Sequence, residues 1–173
     1  MRDKCILPFL ITERLEFFQL TQADLPELEI LLGDTEIMYA WEHGFTKIES
    51  QAWLNENLRR YSSDGYSYWA VRKKNDGSLI GVMGILKEVA EGKQYIGIGY
   101  ILNKKYWGQG YAGEGTEALC QYAFRKLQLQ TLTAQVRTNN FASQHIAEGL
   151  GMKAMCNFCL LYTSPSPRDL STS

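Results

Sequence analysis

The chain has 173 residues, of which 45% are hydrophobic, 21% charged and 12% aromatic. This is the length and composition of one globular domain with a sizeable core, and it excludes a disordered chain. With 18 basic and 19 acidic residues the net charge is −1, which excludes binding to nucleic acid or anionic membranes driven by overall charge.

No apolar run reaches the ~18 residues of a membrane span. The run over 5–11 is short, is broken by Pro8 and has no small-residue cleavage site, so no signal peptide is expected. Residues 14–20, rich in Leu and Phe, predict a strand. Thr21 and Asp24 have capping-box spacing, and Leu25, Leu28, Leu31 and Leu32 share one helical face. Pro26 suits the first turn of that helix and Gly33 its end. Residues 38–45 lack a period and read as an aromatic loop with a helical turn. Thr46 and Glu49 repeat the capping spacing and open a helix to about Tyr61. Ile48, Ala52, Trp53 and Leu58 are expected to face its core side.

Residues 66–73 and 78–88 predict a hairpin turning at Asn75-Asp76-Gly77. Residues 94–102 predict a third strand, whose Gly97 and Gly99 point to a bulge or to a close approach by another group. A helix follows over 114–126, with Ala118, Leu119, Tyr122, Ala123 and Leu127 inward. Then come a strand over 131–136, a helix over 141–150 stopped by Gly151, and a last strand over 152–162. The order β-α-α-β-β-β-α-β-α-β is mixed α/β and lacks the regular alternation of a doubly wound sheet. Cys5, Cys120, Cys156 and Cys159 are too sparse for a disulfide framework, so reduced thiols and a cytoplasmic location are expected. Cys156 and Cys159 lack a second Cys or His pair nearby and read as two strand thiols rather than a metal or redox site.

Residues 107–115, Trp-Gly-Gln-Gly-Tyr-Ala-Gly-Glu-Gly, follow a strand and open a helix. Glycines there let backbone N–H groups approach an anion, and the helix N-terminus adds favourable partial charge. A phosphate or diphosphate ligand is the natural reading, against a glycine-rich turn with no ligand. A nucleoside-triphosphate loop is excluded, because Gly113-Glu114-Gly115 has no Lys-Ser/Thr. Gly108, Gly110 and Gly113 spell the dinucleotide fingerprint, but residues 103–107 separate the first glycine from the strand, and the next strand ends without an acid. Arg137 would suit a 2′-phosphate, which keeps NADP open beside the third option, coenzyme A.

Residues 95–150 resemble the core of the GNAT superfamily of N-acetyltransferases. The resemblance rests on Ile98-Gly99-Tyr100-Ile101-Leu102, on Gly108-x-Gly110-x-Ala112, on Asn140-x-x-Ser143 opening a helix, and on Gly151-Met152 in place of Gly-Phe. Trp107 stands where the family begins its loop with Arg or Gln. Thr12-Glu13-Arg14-Leu15 followed by Asp24-Leu25 is similar to the RimJ/RimL-type branch, which acetylates protein N-termini. The resemblance implies an α/β (mixed α+β) fold. Its central sheet would be mostly antiparallel and twisted, with six or seven strands splayed at the cofactor site and about four flanking helices. It implies acetyl-CoA as co-substrate and no metal. The backbone of Tyr100, Ile101 and Leu102 would hold the pantetheine arm and polarise the thioester carbonyl. Gly108, Gln109, Gly110, Tyr111, Ala112 and Gly113 would cradle the pyrophosphate, and Asn140 would contact the pantetheine amide. Lys104 and Lys105 are candidate contacts to the adenosine phosphate.

Acetyl transfer needs a neutral amine and then a proton for the departing thiolate. Gly97 stands where relatives often carry a strand Glu as base, and Ala147 where they often carry a Tyr as acid. Ser143 is the candidate acid, against a plain first-turn serine; Glu42, His43 and Glu88 are the candidate bases, His43 against a surface histidine without a partner; Trp41 and Glu42 border the acceptor. His145 is expected to be exposed or structural. An α-amine is roughly 10–20% neutral at pH 7 and a lysine side chain below about 0.1%. Weak base catalysis therefore suits a protein or peptide N-terminus as acceptor, with a small-molecule amine as the alternative. A non-catalytic acyl-CoA-binding domain also stays open. No nucleic acid or membrane partner is expected, and the state is monomer or homodimer. One domain is expected over 1–160. Residues 161–173, rich in Ser and Pro, read as a disordered or non-native tail, with the closing strand missing and a sheet edge left exposed.

Overall fold

A computed structural model of the chain describes residues 6–156 and 161–165. They fall into two compact units: residues up to Gly84 with Tyr100–Tyr111, and Ile85–Gly99 with residues from Ala112 on.

The first unit contains β1 (Leu10–Ile11), β2 (Leu15–Gln19), α1 (Leu25–Gly33), a 3-10 turn (Tyr39–Trp41), α2 (Lys47–Ser63) and β3 (Tyr68–Lys73). It also holds the start of β4 (Leu79–Ala90) and the end of β5 (Lys93–Leu102), strands long enough to run through both units. Its strands lie in the order β1-β2-β3-β4, each antiparallel to the next. Leu15 and Phe17 of β2 are buried while Glu16 and Phe18 are only half-buried, the alternation of a strand with one covered face. Residues 80–86 are buried without interruption, as in a strand covered on both faces. The β3 and β4 pairing carries a bulge. It lies where Val71 faces Gly81 and Arg72 faces Leu79. Gly81 is required there, because a Cβ would run into the backbone carbonyl of Ile101.

The core face of α2 differs from the one expected. Ile48 is 83% exposed and Ala52 is exposed, whereas Ser50, Leu54 and Asn57 are buried. The buried stripe contains polar residues because Asn57 bonds backbone: its Nδ2 donates to Trp53 O (2.8 Å) and its Oδ1 accepts from Tyr68 N (3.2 Å). Arg72 is the other polar centre of this unit. Its guanidinium contacts Asp24 (3.1 Å) and Glu27 (2.6 Å) and donates to Gly77 O (3.0 Å).

The second unit contains the remainder of β4 and β5, α3 (Tyr111–Arg125) from its second residue, β6 (Thr131–Gln135), α4 (Phe141–Gly149), β7 (Lys153–Cys156) and β8 (Leu161–Pro165). Its strand order is β5-β6-β8-β7. β5 and β6 are parallel; β8 is antiparallel to both β6 and β7. The single strand expected over 152–162 is therefore two strands, and the closing strand expected to be missing is present as β8. Leu161, Tyr162 and Thr163 have strand propensity, and β8 pairs along the whole of β6, from Thr131↔Pro165 to Gln135↔Leu161. The expected domain end at 160 thus falls before a strand of the sheet. Residues 166–173 of the expected tail, and Cys159 of the cysteine pair, lie outside the described residues. The fold is mixed α/β, mostly antiparallel, with eight strands and four α-helices among the described residues. Among them no helix is long and apolar enough to cross a membrane.

Several surface carboxylates are held below their ordinary range. Hydrogen bonding to Arg59 brings Glu56 to about 2. The backbone N–H groups of Thr46, Ile37 and Ser78 lower Glu49, Asp34 and Asp76, assisted by His43, Lys104 and Lys73 respectively. A folded-state pKa below the unfolded value stabilises above the unfolded pKa and stops doing so as pH falls through the folded one. We expect the Tm to be flat from neutral pH down to about 5 and to fall steadily below about 4. A Tm that rises on acidification from pH 5 to 3, measured by circular dichroism, contradicts this.

Candidate active site

The glycine-rich loop belongs to the first unit. Asn103 anchors its start: its N–H donates to Ile80 O (2.8 Å) and its Oδ1 accepts from Lys105 N (3.1 Å). Trp107 then turns back, its Nε1 donating to Leu102 O (2.8 Å) at the end of β5. Gly108 and Gly110 both have positive φ, +73° and +82°. A Cβ on Gly108 or on Gly113 would meet no atom within 4 Å. The backbone is thus bare on one side at Gly108, which leaves room for a ligand there. The other side is fastened: Gln109 Nε2 donates to Lys105 O (3.0 Å), and Arg14 Nη1 donates to Gln109 O (3.0 Å). α3 starts at Tyr111, three residues earlier than expected. Tyr111, Ala112 and Gly113 are therefore first-turn residues, whose N–H groups have no intrahelical acceptor. The glycines at 113 and 115 hid this start, because glycine is a poor helix former.

Tyr100, Ile101 and Leu102 form the end of β5 in the same unit, with Ile101 and Leu102 buried. The lysines after them differ from expectation. Lys104 is paired with Asp34 (3.1 Å) and Glu36 (2.8 Å), and Lys105 Nζ lies 5.1 Å above the Tyr106 ring. Trp41 ends the 3-10 turn and is partly exposed; Glu42 follows in the left-handed region at φ +72°. His43 Nε2 bonds Glu49 Oε1 (3.1 Å), the carboxylate that caps α2. Its expected reading as a surface histidine without partner is corrected.

In the second unit β5 and β6 meet at one register, Gly97↔Thr133, reinforced by Thr133 Oγ1 donating to Ile96 O (3.3 Å). On its other edge β6 pairs with β8 along its whole length, Thr133 with Thr163 included. Glu88 supplies the close approach expected at Gly97. The Glu88 Cδ is 2.7 Å from where a Cβ on Gly97 would stand, and its Oε2 accepts from Gln135 Nε2 (3.2 Å). A carboxylate therefore occupies the spot above Gly97, delivered by the neighbouring strand.

Asn140 caps α4, its Oδ1 accepting from Ser143 N (3.1 Å), which leaves its Nδ2 as a donor among the described residues. Ser143 sits half-buried in the first turn; His145 is exposed on α4 and Ala147 is buried. Cys120 faces a groove of about 460 Å³ lined by Gly113, Phe124, Ile146 and Leu150, and burial pushes its thiol up to about 12. Two contributors escape a sequence reading. Arg14 and Gln109 are 95 positions apart, and Gln135 is an ordinary alternating residue of a strand.

The family model described as acetyltransferase (GNAT) domain matches residues 14–153, and the chain belongs to that family. It is 30% identical over 144 residues to YkkB of Bacillus subtilis, an uncharacterized protein, covering 83% of this chain and 84% of that one. Among solved structures it resembles an acetyltransferase from Agrobacterium tumefaciens, with TM-score 0.79 and 24% identity over 91% of this chain and 94% of the other. It also resembles RimL, a ribosomal alpha-N-protein acetyltransferase in complex with coenzyme A (TM-score 0.72, 19% identity, 92% and 97% covered). The spermidine N-acetyltransferase of Vibrio cholerae, in complex with coenzyme A and spermine, is similar too (TM-score 0.73, 17% identity, 90% and 98% covered).

Proposed function

We propose that this GNAT acetyltransferase takes its acetyl group from acetyl-CoA and delivers it to the α-amine of a protein or peptide N-terminus, as in the RimJ/RimL-type branch. The observation that carries the reading is the loop, with two positive-φ glycines and a bare backbone face at the start of α3. Backbone N–H groups of 108–113 hold the diphosphate. The backbone of Tyr100, Ile101 and Leu102 holds the pantetheine arm and polarises the thioester carbonyl. Asn140 Nδ2 donates to a pantetheine amide. Trp41 and Glu42 border the acceptor.

The transfer forms one C–N bond and breaks one C–S bond. One proton leaves the amine and one reaches the thiolate sulfur. Glu88 receives the first through a water, and the carboxylate it places above Gly97, in contact with Gln135 Nε2, supports this role. Ser143 donates the second. No metal takes part. The acceptor follows from the single modest base, because an α-amine needs less help to be neutral than a lysine or polyamine nitrogen.

Glu88→Gln is expected to lower kcat about 100-fold with little change in coenzyme A affinity. Gly97→Ala should act in the same direction by displacing the carboxylate. Steady-state kinetics with N-terminal peptides and with spermidine, alongside calorimetry with coenzyme A, test both role and acceptor. Faster turnover of spermidine than of any peptide overturns the acceptor, and unchanged kcat in Glu88→Gln overturns the base.

A further inference from the structure

Thr12-Glu13-Arg14-Leu15 has a definite local job. It joins β1 to β2 as a tight turn, with Thr12 N donating to Leu15 O (2.9 Å) and Leu15 N donating to Thr12 Oγ1 (3.0 Å). The Arg14 carbonyl accepts from Lys74 N (2.9 Å). The backbone at Arg14 is therefore fixed on both sides, and the side chain leaves from a rigid point. It reaches the glycine-rich loop in three ways. Nη1 donates to Gln109 O (3.0 Å), the guanidinium lies 4.2 Å over the Tyr111 ring, and Nη2 is 3.4 Å from where a Cβ on Gly110 would stand.

We propose that Arg14 is the positioning residue of the anion-binding loop. The inference rests on the reading of that loop as the diphosphate cradle. In a trans peptide the C=O and N–H point in opposite directions. Holding the Gln109 carbonyl toward Arg14 aims the Gly110 N–H away from it, to the loop's other face. The stack on Tyr111 fixes the residue at the end of the loop at the same time. A guanidinium does both because it is flat and forked. A lysine ammonium could hold the carbonyl but could not cover the ring.

The test is calorimetric, with coenzyme A and with pantetheine, which lacks the diphosphate, on the parent, Arg14→Ala and Arg14→Lys. Arg14→Ala is expected to weaken coenzyme A about tenfold, and Arg14→Lys about threefold, while pantetheine affinity stays within about twofold. Equal weakening of both ligands, or coenzyme A binding unchanged in Arg14→Ala, overturns the proposal. If Arg14→Ala does not fold, Tyr111→Leu, which removes the stack while keeping an apolar side chain against Tyr106, should give the same selective loss. A parent that binds no coenzyme A overturns the cradle itself, whatever Arg14 does.

Discussion

Gly110→Glu is expected to abolish coenzyme A binding, with Kd raised at least about 100-fold. Two effects add. At φ +82° any side chain strains the backbone by about 1–2 kcal/mol, and the new Cβ would come into contact with Arg14 Nη2 at 3.4 Å. The carboxylate then brings a negative charge to the loop proposed to hold a diphosphate, where like charges repel strongly at short range. Gly110→Ala separates the two effects, since it carries strain without charge. It should weaken binding about tenfold, each decade being about 1.4 kcal/mol. Calorimetry on both variants decides the matter, and micromolar binding by Gly110→Glu removes the loop from the site.

The largest stability effect is expected at Arg72→Ala, a loss of about 3–5 kcal/mol. Asp24 is 1% exposed and Arg72 12%, so the variant leaves a buried carboxylate without its cation. It also strips Glu27 and Gly77 O of a donor. For a chain of this size each kcal/mol shifts Tm by about 2–4 °C, so a fall of about 10 °C is anticipated. Asp24→Leu combined with Arg72→Met should recover part of the loss, because removing both charges costs less than orphaning one. Thermal melts of the single and double variants form a cycle. A Tm within 2 °C of the parent for Arg72→Ala would show that the network contributes little.

The order of elements from β2 to α4 was legible in sequence because each rests on a local cue, whereas the two-residue β1 (Leu10–Ile11) is too short to leave one. Thr46 with Glu49 is the capping box it resembles, with bonds of 2.7 and 3.2 Å. Gly33 ends α1, and the turn at 75–77 separates β3 from β4. What failed depended on partners far along the chain. The core face of α2 follows Asn57, whose value lies in bonds to backbone and not in hydropathy. β8 was legible only to 162, because Ser164 and Pro165 carry no strand signal and its partner β6 is what completes the strand. The site divides the same way. The loop announced itself through glycines at fixed spacing, whereas the Arg14 contact joins segments that no periodicity links. The carboxylate above Gly97 was half legible: the glycine flagged an approach, and its identity required the structure.

That arrangement has a consequence for descent. Positions 88 and 97 share one volume, so an acid can be supplied from either strand but not from both. A lineage that gains a side chain at 97 must first give up or redirect the one at 88. The two positions are therefore steric alternatives, one volume that one strand or the other can fill but not both.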